Sequence, residues 1–309
     1  MKAVQIHGFG GPEVMKYEDV PLPQIADEEV LVKIHASGVN PIDYKIRQGS
    51  KGANAYKLPL ILGWDMCGDV SDLGKKVIEF KRGDRVFGRP DTTRNGTYAE
   101  YTAVKASEIA AAPKFLDPIS TAGIPLAGLT AWQGIFDHGK LQKGQRILIQ
   151  GASGGVGSFA IQFAKWKGAY VVGTASRTNH QFLIDLGANE MLDYHENGYE
   201  KKYADFDLVF DTVGGQSQRK SMVMLKKGGI LVSTLGIEDQ ADLKKNDLSG
   251  VRFMAQSSPS DLHEIAKLVD QREVKVVVDR ILDLPDAAIA HRIIEEGHVR
   301  GKIILSVKE

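Results

Sequence analysis

At 309 residues the chain exceeds what one hydrophobic core usually organises, so two domains are expected. Its 39 basic residues match its 39 acidic ones, so no overall field draws it to nucleic acid or an anionic membrane, although a local pocket for one phosphate would not show in the sum. The only cysteine, Cys67, excludes an intramolecular disulfide and any multi-thiolate site and reads as a small buried hydrophobe, and no run approaches about 18 apolar residues, which together predict a soluble cytoplasmic protein.

From Met1 to about Val104 the signals are short strands and turns: KAVQIH, EVLVKIHASGV, CGDVSDL, GDRVFGR and TYAEYTAV, punctuated by glycine, proline and aspartate. This half reads as an antiparallel barrel or sandwich, with a long loop from Asn40 to Gly63 as a substrate-side wall. From about Asp117 helices alternate with short apolar strands, the pattern of a parallel α/β sheet. RILIQG leads into a glycine loop and a helix, AYVVGTA into the helix around NHQFLIDLG, and DLVFDTVGG into the helix containing Arg219 to Leu225. GGILVSTLG and VRFMAQ continue the series, and HVRGKIILSV reads as a strand that returns to the first domain. The expected organisation is therefore α/β, with residues 1–116 and 259–309 forming a β-rich substrate domain and 117–258 an inserted, doubly wound parallel-sheet domain.

The strand RILIQ runs into GASGGVGSFAIQFAKWKG, a strand, glycine loop and amphipathic helix in succession. In the fingerprint Ala152-x-Gly154-x-x-Gly157, small residues let the backbone approach a pyrophosphate and Gly157 lets the helix pack on the strand. Amides around Ser153, Gly154, Gly155 and Val156 would then meet negative charge at the helix start. About 20 residues on, an NAD enzyme carries an acid for the adenosine ribose. Here the sequence is GTASRTNH: Thr174 and Ala175 close the strand, and Ser176 and Arg177, with Asn179 and His180 nearby, offer charge and donors to a 2′-phosphate. NADPH is the expected cofactor.

The stretches HGFGGPEVM, SGVNPIDYKIRQG, LGWDMCGDV, GDRVFG, AGLTAW, GASGGVG, DTVGG and HVRGKIIL together resemble the medium-chain dehydrogenase/reductase superfamily, in its zinc-free quinone oxidoreductase branch. They span almost the whole chain in family order. The resemblance implies a GroES-like first domain, closed by the carboxy-terminal strands, with a Rossmann domain inserted. Where zinc-dependent relatives carry ligands this chain has Asn40, Trp64 and Ala127, so no metal is expected. Without a Lewis acid, hydride transfer suits acceptors that are already electrophilic, namely quinones and activated enones.

The resemblance also implies site residues. Asn40 and Asp43 are expected near the nicotinamide and ribose, with Asp43 alternatively a helix cap; Tyr44 or Lys45 is expected to polarise the acceptor carbonyl, Lys45 preferred, or else to be a packing residue and a surface charge. Thr130 and Tyr194 are expected beside the cofactor. Asp211, Leu235 and Gly236 lie at carboxyl ends of parallel strands, where open sheets bind ligands, and Lys302 either reaches the cofactor or is a surface charge. A homodimer through the edge strand VRFMAQ is expected, and nucleic acid is not expected as a partner. The alternatives are an enoyl-thioester or polyketide-type reductase, and an NADPH-sensing or nucleic-acid-binding protein with little catalysis.

Overall fold

The computed structural model describes residues 1–50, 55–91 and 93–308, so part of the expected loop from Asn40 to Gly63, at 51–54, lies outside the described residues. The chain divides into two compact units, the first of Met1–Leu126, Ser257–Arg272 and Val276–Glu309, the second of Ala127–Gln256 with Glu273–Lys275.

The first unit begins with β1 (Lys2–Ile6), β2 (Met15–Asp19), β3 (Glu29–Val39), α1 (Pro41–Arg47), β4 (Leu60–Ile61), β5 (Met66–Leu73), β6 (Arg85–Gly88), β7 (Tyr101–Lys105), β8 (Ile109–Ala111) and α2 (Pro118–Thr121); α3 (Pro125–Trp132) carries the chain onward. The second unit adds β9 (Arg146–Ile149), α4 (Gly155–Lys167), β10 (Tyr170–Ala175), α5 (His180–Asp185), β11 (Glu190–Asp193), β12 (Phe206–Asp211), α6 (Gly215–Met222), β13 (Leu225–Ser233), α7 (Gln240–Lys245) and β14 (Ser249–Arg252). The chain then returns to the first unit as α8 (Pro259–Asp270), β15 (Val278–Asp283), α9 (Ala287–Glu295) and β16 (Lys302–Ser306).

In the first unit the strands run β15-β16-β3-β5-β6-β8, with β7 also paired to β3, beside a small β2-β1-β4 sheet. Strand β3 is the axis of this unit. It pairs antiparallel with β16, β5 and β7, and its Val30, Leu31, Val32, Ile34 and Val39 are buried. Two apolar clusters result, one around Val30, Val32, Ile34, Met66 and Val86, the other around Ile6, Val39, Leu62, Trp64, Tyr98 and Ile303.

The second unit is an all-parallel sheet in the order β11-β10-β9-β12-β13-β14. Strand order reverses at β9, and ligands of open α/β sheets bind at such a switch point, outside the carboxyl ends of the strands. Its core gathers Leu148, Val172, Phe206, Val209, Met222, Met224 and Leu231. The expected edge strand VRFMAQ is displaced: β14 ends at Arg252, though it does form the edge of the sheet.

Two expectations change. The boundary expected at 116/117 falls between Leu126 and Ala127, because α2 packs on β3, β5 and β16 rather than on the parallel sheet. The region after Asn40 is a helix and a short strand rather than loop alone: Pro41 supplies a preset φ at the first helical position and Asp43 accepts the free amide of Asn40 at 2.8 Å.

Candidate functional site

In the second unit β9 delivers the chain to the glycine loop. Gly151 turns it at φ +67, a conformation that disfavours a side chain. Gly154 caps α4, so the amides of Gly155, Val156 and Gly157 open the helix without intrahelical acceptors. A Cβ on Gly157 would stand 2.3 Å from Gly151 O and 2.6 Å from Ala152 Cα, so this glycine lets α4 seat directly on the strand end. A Cβ on Gly154 would meet nothing nearer than Gly151 O at 3.6 Å. The loop therefore combines a tight backbone seat with open space at a helix start, which is the arrangement an anionic diphosphate requires. Ser153 is half-buried in the same turn.

At the end of β10, Ser176 and Arg177 begin a short 3-10 turn. Arg177 is 79% exposed in its side chain and reaches Glu196 at 3.3 Å, and Glu196 also binds Lys202 at 3.1 Å. Asn179 donates to Ser176 Oγ at 3.0 Å, and His180 Nε2 meets the Ala175 carbonyl at 3.1 Å, so these two residues brace the turn. Tyr194 is exposed, its ring 4.2 Å from that of His195. Thr130 is buried on α3. Leu235 is exposed beyond β13, and the Gly236 carbonyl accepts from Gln218 at 2.6 Å.

Asp211 departs from its expected role at a ligand. It is fully buried and its carboxylate accepts from the Val213 and Gly214 amides at 3.0 and 2.9 Å, from Gln218 Nε2 at 2.7 Å and from Ser233 Oγ at 2.8 Å. No lone pair is left for a cofactor. This carboxylate ties the ends of β12 and β13 to α6.

In the first unit Asn40 sits between β3 and α1, 4% exposed. Its Oδ1 accepts from Lys302 Nζ at 2.5 Å, and its Nδ2 donates to Asp65 Oδ2 at 2.8 Å. Lys302 was expected to reach the cofactor or to be a surface charge, and it is not at the surface. It is 3% exposed, and its ammonium donates to Val39 O at 3.1 Å, Asn40 Oδ1 and Asp65 Oδ2 at 2.9 Å. The other oxygen of Asp65 accepts the Leu126 amide at 2.6 Å, at the start of α3. An ammonium, a carboxylate and an amide thus fix one another in a buried cluster.

Asp43, expected near the nicotinamide or as a cap, is fully buried and takes the capping role from the third helical position. Its Oδ2 accepts from the Asn40 amide at 2.8 Å and from Tyr98 Oη at 2.7 Å, while Oδ1 is buried with no partner. Tyr98 Oη meets His291 Nε2 at 3.2 Å, and His291 Nδ1 meets Arg47 NH1 at 3.2 Å. Arg47 in turn donates to Glu295 at 2.8 Å. Because a guanidinium only donates, Nδ1 accepts, and Nε2–H donates to Tyr98, whose hydroxyl donates to Asp43. Burial pushes the Asp43 carboxyl up to about 7, against the hydrogen bonds from Tyr98 and Asn40. Burial, reinforced by the Arg47 charge, pushes His291 down to about 3. Tyr44 and Lys45 are half-buried on α1, and no hydrogen bond or ion pair joins the Lys45 side chain to a described residue.

Neither the buried relay nor the Lys302 partnership was visible as a motif. Its members are scattered through the chain, with Lys302 lying 262 residues from Asn40 and His291 193 residues from Tyr98. Asp65 was visible only as the neighbour of Trp64, and Arg47 carried no signal.

The alcohol dehydrogenase GroES-like domain family matches residues 26–114 and the zinc-binding dehydrogenase family residues 186–305. The zebrafish (Danio rerio) protein named NAD(P)H oxidoreductase RTN4IP1, mitochondrial, is 33% identical over 100% of this chain and 92% of its own length. The NADPH-dependent alkenal/one oxidoreductase, chloroplastic, of Arabidopsis thaliana is 32% identical over 99% of this chain and 79% of its own. The solved quinone oxidoreductase of Coxiella burnetii superposes with a TM-score of 0.94 at 36% identity, covering 100% of this chain and 99% of that one. The chain belongs to the medium-chain dehydrogenase/reductase family, in its quinone oxidoreductase branch.

The zinc named in one of these family descriptions does not fit the residues present. The Asn40 amide is already held by Lys302 and Asp65, Trp64 is fully buried in an apolar cluster, and Ala127 has no donor atom. Among the described residues no group of three His, Cys, Asp or Glu side chains is placed to hold a metal ion.

Proposed function

We propose that the protein is a zinc-independent, NADPH-dependent reductase that adds hydride to quinones or α,β-unsaturated carbonyl compounds. The observation that carries the reading is the end of β10, where Ser176 and the exposed Arg177 stand in place of an acid and beside an open glycine-loop helix start. The names of the relatives, which include an NADPH-dependent alkenal/one oxidoreductase and a quinone oxidoreductase, support the same chemistry.

The residues present fit the dinucleotide. The amides of Gly155 and Val156, with Ser153 and Gly154 in the turn, would hold the pyrophosphate, and Arg177 with Ser176 would hold the 2′-phosphate, Arg177 releasing Glu196. Thr130, Tyr194, Leu235 and Gly236 are proposed along the rest of the cofactor. Bound NADPH supplies two electrons as hydride. On the acceptor side Asn40 would orient the substrate, and Tyr44 or Lys45 would donate to its oxygen. Lys302 and Asp43 act through Asn40: one fixes its amide, the other its backbone. We also propose a cytoplasmic location, supported by a single buried free thiol, and a homodimer formed through edge strand β14. Among the described residues no helix is long and apolar enough to cross a membrane.

The test is NADPH oxidation by the purified protein with quinones, small enones and enoyl thioesters, each repeated with NADH. Quinones or enones are expected to turn over, with NADPH preferred and the preference reduced about tenfold or more in Arg177→Ala through loss of a charge-assisted hydrogen bond. Turnover confined to thioesters would replace the substrate class, and equal use of NADH would remove the role of Arg177.

A further inference from the structure

In the first unit, four adjacent strands end in one polar row. Lys302 opens β16, Asn40 follows β3, Asp65 precedes β5 and Arg89 follows β6. The pairing places them side by side at the same end of the sheet, since Ile303 faces Val39, Ser37 faces Met66 and Met66 faces Gly88. The first three of these residues satisfy one another, as described above. Arg89 does not join them.

Arg89 is mostly buried, yet among the described residues its guanidinium makes a single hydrogen bond, from NH1 to Ser257 Oγ at 3.3 Å, and its Nε is buried with no partner. The Ser257 hydroxyl itself donates to the Arg89 carbonyl at 2.6 Å, so the serine holds the backbone as much as the side chain. Among the described residues no carboxylate forms an ion pair with Arg89, although the charges of Asp65, Asp91 and Glu108 act on it from farther off. Asp65, the nearest acid in the row, already accepts from Lys302, Asn40 and Leu126. Burial lowers the Arg89 pKa, but a guanidinium stays charged at any physiological pH. A mostly buried, unpaired cation is costly to a fold, and such costs concentrate where function requires them.

We propose that Arg89 is the acceptor-binding cation of this protein: its guanidinium donates to the carbonyl oxygen of the quinone or enone and holds the negative charge that gathers there during reduction. This rests on the functional reading above and narrows it to acceptors that carry a conjugated carbonyl. When hydride bonds to the β-carbon of an enone, the alkene electron pair moves between the α-carbon and the carbonyl carbon. The carbonyl π pair moves onto oxygen, facing Arg89. A proton from water then adds at the α-carbon and the carbonyl re-forms, so the acceptor gains two electrons and NADPH becomes NADP⁺. For a quinone the corresponding phenolate oxygen is protonated. A fixed cation aimed at developing oxyanion charge supplies the stabilisation that a metal supplies in zinc-dependent relatives.

Arg89→Met and Arg89→Lys, compared with the unchanged protein, test this by steady-state kinetics, NADPH titration and thermal unfolding. Expected for Arg89→Met is a fall of about 100-fold or more in kcat/KM for the acceptor, unchanged NADPH affinity, and an unfolding midpoint above that of the unchanged protein, because an unpaired buried charge has gone. Arg89→Lys should fall between the two in rate. Activity in Arg89→Met within a few-fold of the unchanged protein, or a loss of activity accompanied by a lowered midpoint, overturns the proposal. If the unchanged protein reduces none of the acceptors, the functional reading itself fails and this role goes with it.

Discussion

Asp43 shows how a single buried carboxyl couples fold and pH. Two donors reach Oδ2 and none reaches Oδ1, so burial wins over hydrogen bonding and its pKa rises from 3.8 to about 7. The folded state then binds a proton more tightly than the unfolded chain does, and the stability this contributes is full below about pH 4 and lost as pH rises toward 7. His291 works in the opposite sense: with its pKa lowered from 6.5 to about 3, its contribution is present above 6.5 and lost as pH falls toward 3. The two nearly cancel in the unchanged protein, so the effect must be seen by difference. Asp43→Asn cannot titrate, and its stability relative to the unchanged protein should improve between pH 4 and pH 7 by an amount on the order of 3 kcal/mol, measured by denaturant unfolding at several pH values. A difference that stays flat across that range would show that the carboxyl titrates normally in the fold.

At the scale of elements, the glycine loop separates two requirements that its sequence presents as one. Gly157→Ala would drive a methyl into the backbone of Gly151 and Ala152, at 2.3 and 2.6 Å, and lift α4 off the strand end. The expected cost is about 1–3 kcal/mol in unfolding free energy, together with weaker NADPH binding. Gly154→Ala has room, its nearest contact being 3.6 Å away at φ −75, so stability should hold while NADPH affinity falls because the methyl lines the open mouth of the helix. Denaturant unfolding paired with NADPH titration separates them; two variants with the same profile would refute the distinction. This loop was legible in the sequence because strand, glycines and helix follow one another within one stretch of chain. Helix α1 was harder to read: at 7 residues, PIDYKIR is too short to show a helical period, although Pro41 and Asp43 already marked its start.

At the scale of the whole molecule, what was legible follows sequence distance. The parallel sheet of the second unit follows from its alternating pattern, and the return of HVRGKIILSV to the first unit appears as β16 paired with β3. The polar row could not be read that way. Lys302, Asn40, Asp65 and Arg89 come from four separate segments that only strand register brings together. The position of Lys302 before Ile303, Ile304 and Leu305 said that a strand begins there, not that its ammonium is buried. Asp211 misled for a related reason: its place at the end of β12 is where ligands bind, but Gln218 and Ser233, contributed by α6 and β13, consume its acceptors.

In the function proposed above, this chain moves hydride from NADPH to a carbonyl-conjugated acceptor without a metal ion. Protein stripped by a strong chelator and checked for residual metal should be incubated with NADPH carrying deuterium on the transferred face of nicotinamide C4 and with a simple enone, and the product analysed by mass spectrometry. The prediction is one deuterium at the β-carbon, formed at the same rate before and after stripping. A product without deuterium, or turnover lost on stripping and restored by zinc, would contradict it.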